Sequence, residues 1–449
     1  MKRQAMRSGA GMALALALWA GLALAGCDAT STTVTPVGAA PAPTPAPAPA
    51  PPRWVSAAAG AYHSLALKSD GTLWGWGFDN VGQVGDGSLG DPNPNGGTTG
   101  NKAAVTQVGT DTNWSSVSGS TYFSLGLKSD GTLWGWGDTS QLEGNGLTAL
   151  TPRRIGVATD WKTVAGGVYH AVALKTDGTV WAWGNNASFG GGMVGDGTSG
   201  TVIPAPTRVC QFYNATTTSC MAYLPPAKAI AAGDFHSLAL LPDGSVWAWG
   251  AGAYGALGNV SGVNQLTAAP VCAPGATSSP CSAFLGGAVA LTAGASISAA
   301  LLSDGTVWTW GYNGYAELGD GTYTYRYAPV QVCQTYSAGV CTAYLTGVAT
   351  LGGGLYHSLA LKKDGSLWAW GWNIYGGLGD GTNTDKTLAT RVGSDTNWAA
   401  LAVGGYQHSL AVKTDGTLWG WGLDANRQVG TSTALCGGNG CVPSPGPIK

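Results

Sequence analysis

The chain has 449 residues, a formal net charge of −2 and only 10% charged residues. No basic stripe runs through it, which argues against nucleic acid as a partner. Glycine is abundant, 73 residues, but strand-like alternation continues throughout, so the glycine serves tight turns and close packing rather than disorder.

The first segment is Met1-Lys-Arg-Gln-Ala-Met-Arg7, followed by an apolar run to Ala23 and then Leu24-Ala-Gly-Cys27. A basic start, a short apolar stretch and small residues at the end read as an export signal. The run is too short for a membrane span. Leu-Ala-Gly-Cys resembles the bacterial lipobox, which makes residues 1–26 a lipoprotein signal peptide and Cys27 the lipidated N-terminus. The plainer reading is an ordinary signal peptide with an incidental cysteine. Cleavage would remove Lys2, Arg3 and Arg7 and no acids, moving the formal net charge from −2 to −5. Residues 27–52 carry this cysteine and then a Thr-, Ala- and Pro-rich linker. Such a stretch is a semi-rigid spacer of about 3.1 Å per residue. An anchor followed by a stiff spacer places the folded part off a bacterial membrane, facing the periplasm or the exterior.

Residues 53–449 form one body, because a single pattern recurs seven times. Its centre is Lys68-Ser-Asp-Gly-Thr-Leu-Trp-Gly-Trp-Gly77, and successive copies lie 47 to 66 residues apart. A period of this size marks a propeller or a solenoid. His63-Ser-Leu-Ala-Leu-Lys68 and Thr72-Leu-Trp-Gly-Trp-Gly77 both alternate with period two, so both are strands. Asp70-Gly71 between them predicts a tight hairpin of type I′. The residue between the tryptophans is always small: Gly75, Gly135, Ala182, Ala248, Thr309, Ala369 and Gly420. The fourteen indoles are therefore expected to supply most of a core, packed against small residues on adjoining sheets. Before each hairpin lies an aromatic, which is Trp54, Trp114, Trp161, Tyr223, Phe284, Tyr344 or Trp398. Upstream again is a Pro-containing strand such as Ala205-Pro-Thr-Arg-Val209. That makes about four strands per copy, the content of one propeller blade.

Eight further cysteines fall into local pairs: Cys210 and Cys220, Cys272 and Cys281, Cys333 and Cys341, Cys436 and Cys441. An even number in an exported protein reads as disulfides, with neighbours paired. Zinc is the competing reading, but the spacings are irregular and no histidine is near. The end of the chain, Val442-Pro-Ser-Pro-Gly-Pro-Ile-Lys449, looks like the Pro-containing strand of another copy. The expectation is a ring closed by its N- and C-terminal segments, with residues 447–449 paired in the blade that contains residues 54–77.

The repeat resembles the regulator-of-chromosome-condensation family. The shared pattern is Gly-x-x-His-Ser/Thr-x-Ala-Leu, Asp-Gly, Trp-x-Trp-Gly and Asn-x-x-Gly-Gln-Leu-Gly-Asp-Gly, and residues 60–87 and 354–381 follow it best. Phe123 and Ile297 replace the histidine, copy two reads Leu142-Glu-Gly-Asn-Gly146, and copy seven ends at Gln428-Val-Gly430 without Asp-Gly. The resemblance implies an all-β, seven-bladed β-propeller. It also implies nucleotide exchange on a small GTPase, as in its eukaryotic founder, which an export signal and disulfides make implausible here. Secreted bacterial members that inhibit β-lactamase imply instead the binding of a protein by one face of the ring.

The chemistry is read from what is shared and what differs. All five histidines, His63, His170, His236, His357 and His408, occupy one slot of the repeat. They serve the blades, and none remains as a unique general base. No nucleophile elbow, P-loop or zinc-protease motif is present. The Gly-Asp-Gly segments, such as 319–321, lack the dense oxygen ligands that calcium needs and read as turns. The expectation is a non-enzymatic monomer without cofactor or metal. Shared positions build scaffold, so a partner site must lie where the copies differ. After Trp-x-Trp-Gly, copies four to six carry Tyr254, Tyr312, Tyr315, Trp372 and Tyr375, and copy five adds Tyr323, Tyr325, Arg326 and Tyr327. Tyr, Trp and Arg on adjacent loops are usual anchors of protein interfaces. They also suit sugar stacking. The reading is an extracytoplasmic protein partner, with a glycan or cell-wall ligand as the alternative.

Overall fold

The computed structural model describes residues 50–90, 100–143, 147–405, 407–430 and 440–449. The expected signal peptide, Cys27 and the linker as far as residue 49 lie outside the described residues. In the first repeat, β1 (Trp54–Ala59), β2 (His63–Lys68), β3 (Leu73–Phe78) and β4 (Asn101–Gln107) pair in chain order as an antiparallel sheet. The same four-stranded order occurs in seven sheets, which form the blades of a β-propeller. The first strands of successive blades touch in a closed cycle, β1 meeting both the second blade and the seventh.

Each blade is turned by one local relay. Asp70 Oδ1 accepts from the Thr72 N–H at 3.1 Å and from its hydroxyl at 2.7 Å, and Thr72 Oγ1 accepts from Trp74 Nε1 at 2.9 Å. Asp415, Thr417 and Trp419 repeat it in the last blade. The Gly71 N–H donates to the Lys68 carbonyl, and only Gly71 of the turn has positive φ, +77°. The expected type I′ turn needs two such residues. The loop is instead a type I turn completed by a left-handed glycine, the three-residue hairpin.

The two tryptophans of each repeat have different duties. The second, Trp76, Trp136, Trp183, Trp249, Trp310, Trp370 or Trp421, is fully buried. The first is half-buried, and in five repeats a lysine ammonium caps it, Lys68 Nζ lying 3.9 Å from the Trp74 ring centre, while Leu241 and Leu302 take the lysine's place before Trp247 and Trp308. The core thus takes one full indole per blade rather than two. Nor is the small middle residue the partner of that indole. Gly75 pairs with Leu65, and a Cβ there would press on Leu65 and Val84. The indole instead lies against a glycine of the preceding blade's loop. A Cβ on Gly379 would fall 2.7 Å from Trp421 Nε1, and one on Gly85 2.6 Å from Trp136 Cδ1. Trp421 Nε1 also donates to the Gly377 carbonyl at 2.9 Å, and Trp76 Nε1 to Gln428 at 2.9 Å. Trp183 Nε1 has no such partner among the described residues. It faces the loop of copy two, the copy whose Leu142-Glu-Gly stretch departs from the repeat.

The Pro-containing strand is the last of its own blade, not the first of the next. The outermost strand has a free edge, where proline's missing N–H costs no ladder bond. Accordingly Cys441–Pro447 pairs with Leu418–Leu423 in the seventh blade. The expected pairing of residues 447–449 with the blade of residues 54–77 does not occur, because β4 already fills that place. The terminal blades close the ring by packing face to face: Ile448 joins Trp76, Ala66 and Leu418 in one apolar cluster, and the Ser64 hydroxyl lies 2.9 Å from His408 Nε2.

Three disulfides join neighbouring cysteines, Cys210–Cys220, Cys272–Cys281 and Cys333–Cys341, with Cα separations of 5.7 to 5.8 Å. Two of them tie extra hairpins, Cys210–Asn214 with Ser219–Tyr223 and Cys333–Ser337 with Val340–Tyr344, against the outer strand of the next blade. Cys441 is also disulfide-bonded, and Cys436 lies outside the described residues.

The wedge of indole against glycine is testable. Gly379 has φ +73° and no room beside Trp421, whereas Gly393 has φ +59° and open space. Gly379→Ala is expected to cost about 2–4 kcal/mol in urea unfolding, and Gly393→Ala about 1 kcal/mol. Equal losses would show that the indole does not need the glycine.

Candidate binding face

The connections from first to second strand and from third to fourth strand lie at one end of the ring. The Asp-Gly turns lie at the other. In five copies one buried Asn or Asp organises the loop after Trp-x-Trp-Gly, and Thr139 and Gly252 hold that place in copies two and four. In copy five the Asn313 side-chain carbonyl accepts the Leu318 N–H at 2.9 Å. Its amide donates to Asp320 Oδ1 at 3.2 Å and to the carbonyls of Thr322 and Thr324 at 2.9 and 3.1 Å. Asn373 does the same in copy six, and Asp79 and Asp424 accept the equivalent N–H in copies one and seven. Asp320 is a turn residue, accepting from the Thr322 N–H and hydroxyl, and its other oxygen meets Arg326 at 2.7 Å. Among the described residues no group of three or more His, Cys, Asp or Glu could hold a metal.

On this frame the aromatic side chains project into one contiguous cluster. Tyr312 stacks on Tyr325 with ring centres 4.8 Å apart, and Tyr254 meets both edge-on at 5.2 and 5.4 Å. Tyr315 bridges to copy six, 6.2 Å from Tyr312 and stacked on Trp372 at 5.0 Å. Tyr375 lies 6.2 Å from Trp372. Burial and a hydrogen bond with Tyr325 push the Tyr312 phenol well above its ordinary pKa. Six of the nine residues expected at the partner site are thus brought together. Tyr323 is exposed but has no ring neighbour among the described contacts. Arg326 is tied to Asp320, and Tyr327 packs toward Gly262 of copy four. Tyr356, 5.3 Å from Trp372, was missed because it occupies a slot shared by several copies. That slot, one residue before the histidine, also holds Tyr62, Tyr122, Tyr169 and Phe235. Tyr122, Tyr169, Phe235 and Phe189 form a second arc on the same end of the ring, with Phe189 and Phe235 only 3.9 Å apart.

The histidines are structural. His63, His170, His236, His357 and His408 are buried, and each Nε2 lies 2.8 to 2.9 Å from a serine hydroxyl of the next blade. Four of these serines donate onward to a loop carbonyl, as Ser409 does to Gly377 at 2.9 Å. The serine oxygen therefore accepts from an Nε2–H, and the rings are neutral. Burial lowers their pKa to about 3 or 4.

Comparison with known proteins follows the repeat. The RCC1-like domain family matches residues 26–340, and the regulator of chromosome condensation (RCC1) repeat matches residues 348–376, 399–428 and 364–412. The ultraviolet-B receptor UVR8 of Arabidopsis thaliana is 30% identical over 210 residues, 46% of this chain and 44% of the receptor. The human E3 ubiquitin-protein ligase HERC2 is 32% identical over 190 residues, 41% of this chain but 4% of the ligase. The chain thus spans less than half the length of these curated relatives. Human WBSCR16 superposes with a TM-score of 0.65 at 23% identity, covering 81% of this chain and 87% of that one. Prp20p of Saccharomyces cerevisiae superposes with a TM-score of 0.59 at 19% identity, covering 81% and 84%. At these identities the superpositions establish the fold.

The loop frame makes a pH prediction. Glu317 Oε2 accepts the Tyr315 N–H at 2.8 Å, and burial raises this carboxyl from 4.5 to about 8. Copies one and seven carry Gln83 and Gln428 in the same slot. The folded state holds Glu317 protonated, so its contribution is complete below pH 4.5 and is lost as the pH rises toward 8. Glu317→Gln is expected to match the native chain near pH 4.5 and to exceed it increasingly up to pH 8, by at most about 1.4 kcal/mol per pH unit. Parallel stability curves for the two proteins would refute the assignment.

Proposed function

We propose that this chain, which belongs to the RCC1-like domain family, is a non-enzymatic, lipid-anchored scaffold that binds an extracytoplasmic protein through the aromatic end of its ring. The observation that carries the reading is the continuous cluster of Tyr254, Tyr312, Tyr315, Tyr325, Trp372 and Tyr375 on loops of three adjacent blades, two of them organised by a buried asparagine. Preorganised tyrosine and tryptophan side chains bind at little entropic cost. A glycan is the weaker reading, because sugars stack on open ring faces. Here Tyr312 and Tyr325, and Tyr315 and Trp372, spend their faces on each other and present edges and hydroxyls.

Three further points agree. The histidines are committed to the joints between blades, which leaves them outside any catalytic role. Three disulfides fit an oxidising compartment. Arg53, where the linker joins the ring, lies against Gly416 of an Asp-Gly turn, at the end opposite the aromatic loops. Among relatives, Prp20p is described with binding properties to Gsp1p and histones, which makes protein binding by such a ring a precedent.

Two experiments test this. The Tyr254→Ala, Tyr315→Ala, Trp372→Ala triple variant, with its melting temperature unchanged, is expected to lose partner capture from an envelope extract by about 100-fold or more relative to the native chain. Undiminished capture removes the aromatic face from the account, and a melting temperature raised by soluble envelope oligosaccharide would turn the reading toward glycan. Cys27→Ser is expected to move the protein from the membrane fraction to the soluble fraction, and membrane retention would remove the lipid anchor.

A further inference from the structure

The seven first strands enclose a central channel of ≈ 320 Å³. Its walls are backbone and small or aliphatic side chains. The wall position after Gly60, Ser120, Gly167 and Gly354 in the first turns is Ala61, Thr121, Val168 and Leu355, and in copy four, after Gly233, it is Asp234. Asp234 is the only ionisable side chain among the described residues that line the channel. The main chain of Asp234 is committed. Its N–H donates to the Gly294 carbonyl at 3.3 Å, and its carbonyl accepts the Val168 N–H at 3.2 Å. No donor among the described residues reaches its carboxyl, and burial alone raises that group from 3.8 to about 7. Asp234 is partly exposed within the channel, and nothing in the joint between the blades uses its carboxyl.

The surroundings say what would satisfy it. Asp234 sits at the channel mouth on the aromatic end, and the next residue is Phe235 of the arc with Phe189 and Tyr169. A carboxylate in a narrow passage, with Phe235 the next residue in the chain, suits an organic cation, which gains the charge and has a ring quadrupole within the same turn. A hard metal ion would find one carboxylate and too few further charged oxygens. We infer that Asp234 and the aromatic arc beside it form a site for a primary ammonium group, of the kind that ends a lysine side chain, entering the channel from the aromatic end. A partner's lysine is the natural source and in that respect the inference rests on the proposed function, but the site is testable without any partner.

Binding requires the carboxylate, so it displaces a proton below about pH 7. The other titratable groups behind this part of the wall are His170 and His236, and burial keeps both neutral. The neighbouring loop from blade five presents Gly294 and Ala295, and the other blades present no charge to the channel among the described residues. Titration of the intact exported protein with n-butylammonium chloride, followed by calorimetry, reads the site directly, with n-butanol as the neutral control of equal length. Saturable binding by the ammonium alone is expected, weakened about tenfold or more between pH 8 and pH 5.5 and by a similar factor in Asp234→Asn. Binding that ignores pH in the native chain, or that n-butanol matches, overturns the site, and the pH series needs no variant to fold. Competition between butylammonium and partner capture assigns the ammonium to the partner, while binding without competition assigns it to a free amine. Absence of binding removes the site and leaves the aromatic face to its own variants.

Discussion

Every joint between blades turns on one buried indole. In six repeats, all but that of Trp183, the second tryptophan reaches across to the preceding blade, lies against a left-handed glycine there, and donates its N–H to a loop carbonyl. Apolar burial drives the contact, and the hydrogen bond and the absent Cβ set its geometry. Because in copies five and six the same loop carries the buried Asn and then the projecting aromatics, the wedge that joins two blades also sets the height and aim of the aromatic loops. Scaffold and candidate site are therefore one construction seen from two sides.

Adjacent blades are joined a second time by histidine and serine, and the exceptions are informative. Where Phe123 stands for the histidine, the serine of the next blade is replaced by Ala171, so an apolar pair takes the place of a hydrogen-bonded one. Where Ile297 stands for it, Ser358 remains, and the nearby Glu317 is buried with one oxygen unpartnered. That joint lies beneath Tyr315 and Trp372, at the centre of the aromatic cluster. A joint without the histidine thus supports the aromatic cluster.

Much of this was legible in the chain because it repeats. Period-two alternation, Asp-Gly and the paired tryptophans gave strands, turns and blade number, and the cysteine spacing gave the three described disulfides. What failed was long-range. Alternation shows that Trp74 and Trp76 share a face but not which of them the next blade covers. A proline strand can open one blade or finish another, and only the pairing of Trp419 with Pro447 decides. Difference between copies singled out six residues that the ring brings together, but not Tyr356 or Asp234. Tyr356 hid in a shared slot, and Asp234, an acid peculiar to one copy, reads as an ordinary loop residue until the ring closes around it.

Four consecutive strands to a blade, with no strand exchanged at the seam, make the ring modular in a strict sense. The contacts across the covalent gap, Trp76 to Gln428 and Ser64 to His408, copy those between blades joined by peptide. Arg53 and Ile448 both lie at the Asp-Gly end, held by Gly416 and Leu418. Such an object has no privileged first unit. Its chain can be circularly permuted by whole modules, or grow and shrink through gene duplication one module at a time, while each new neighbour inherits a ready-made socket.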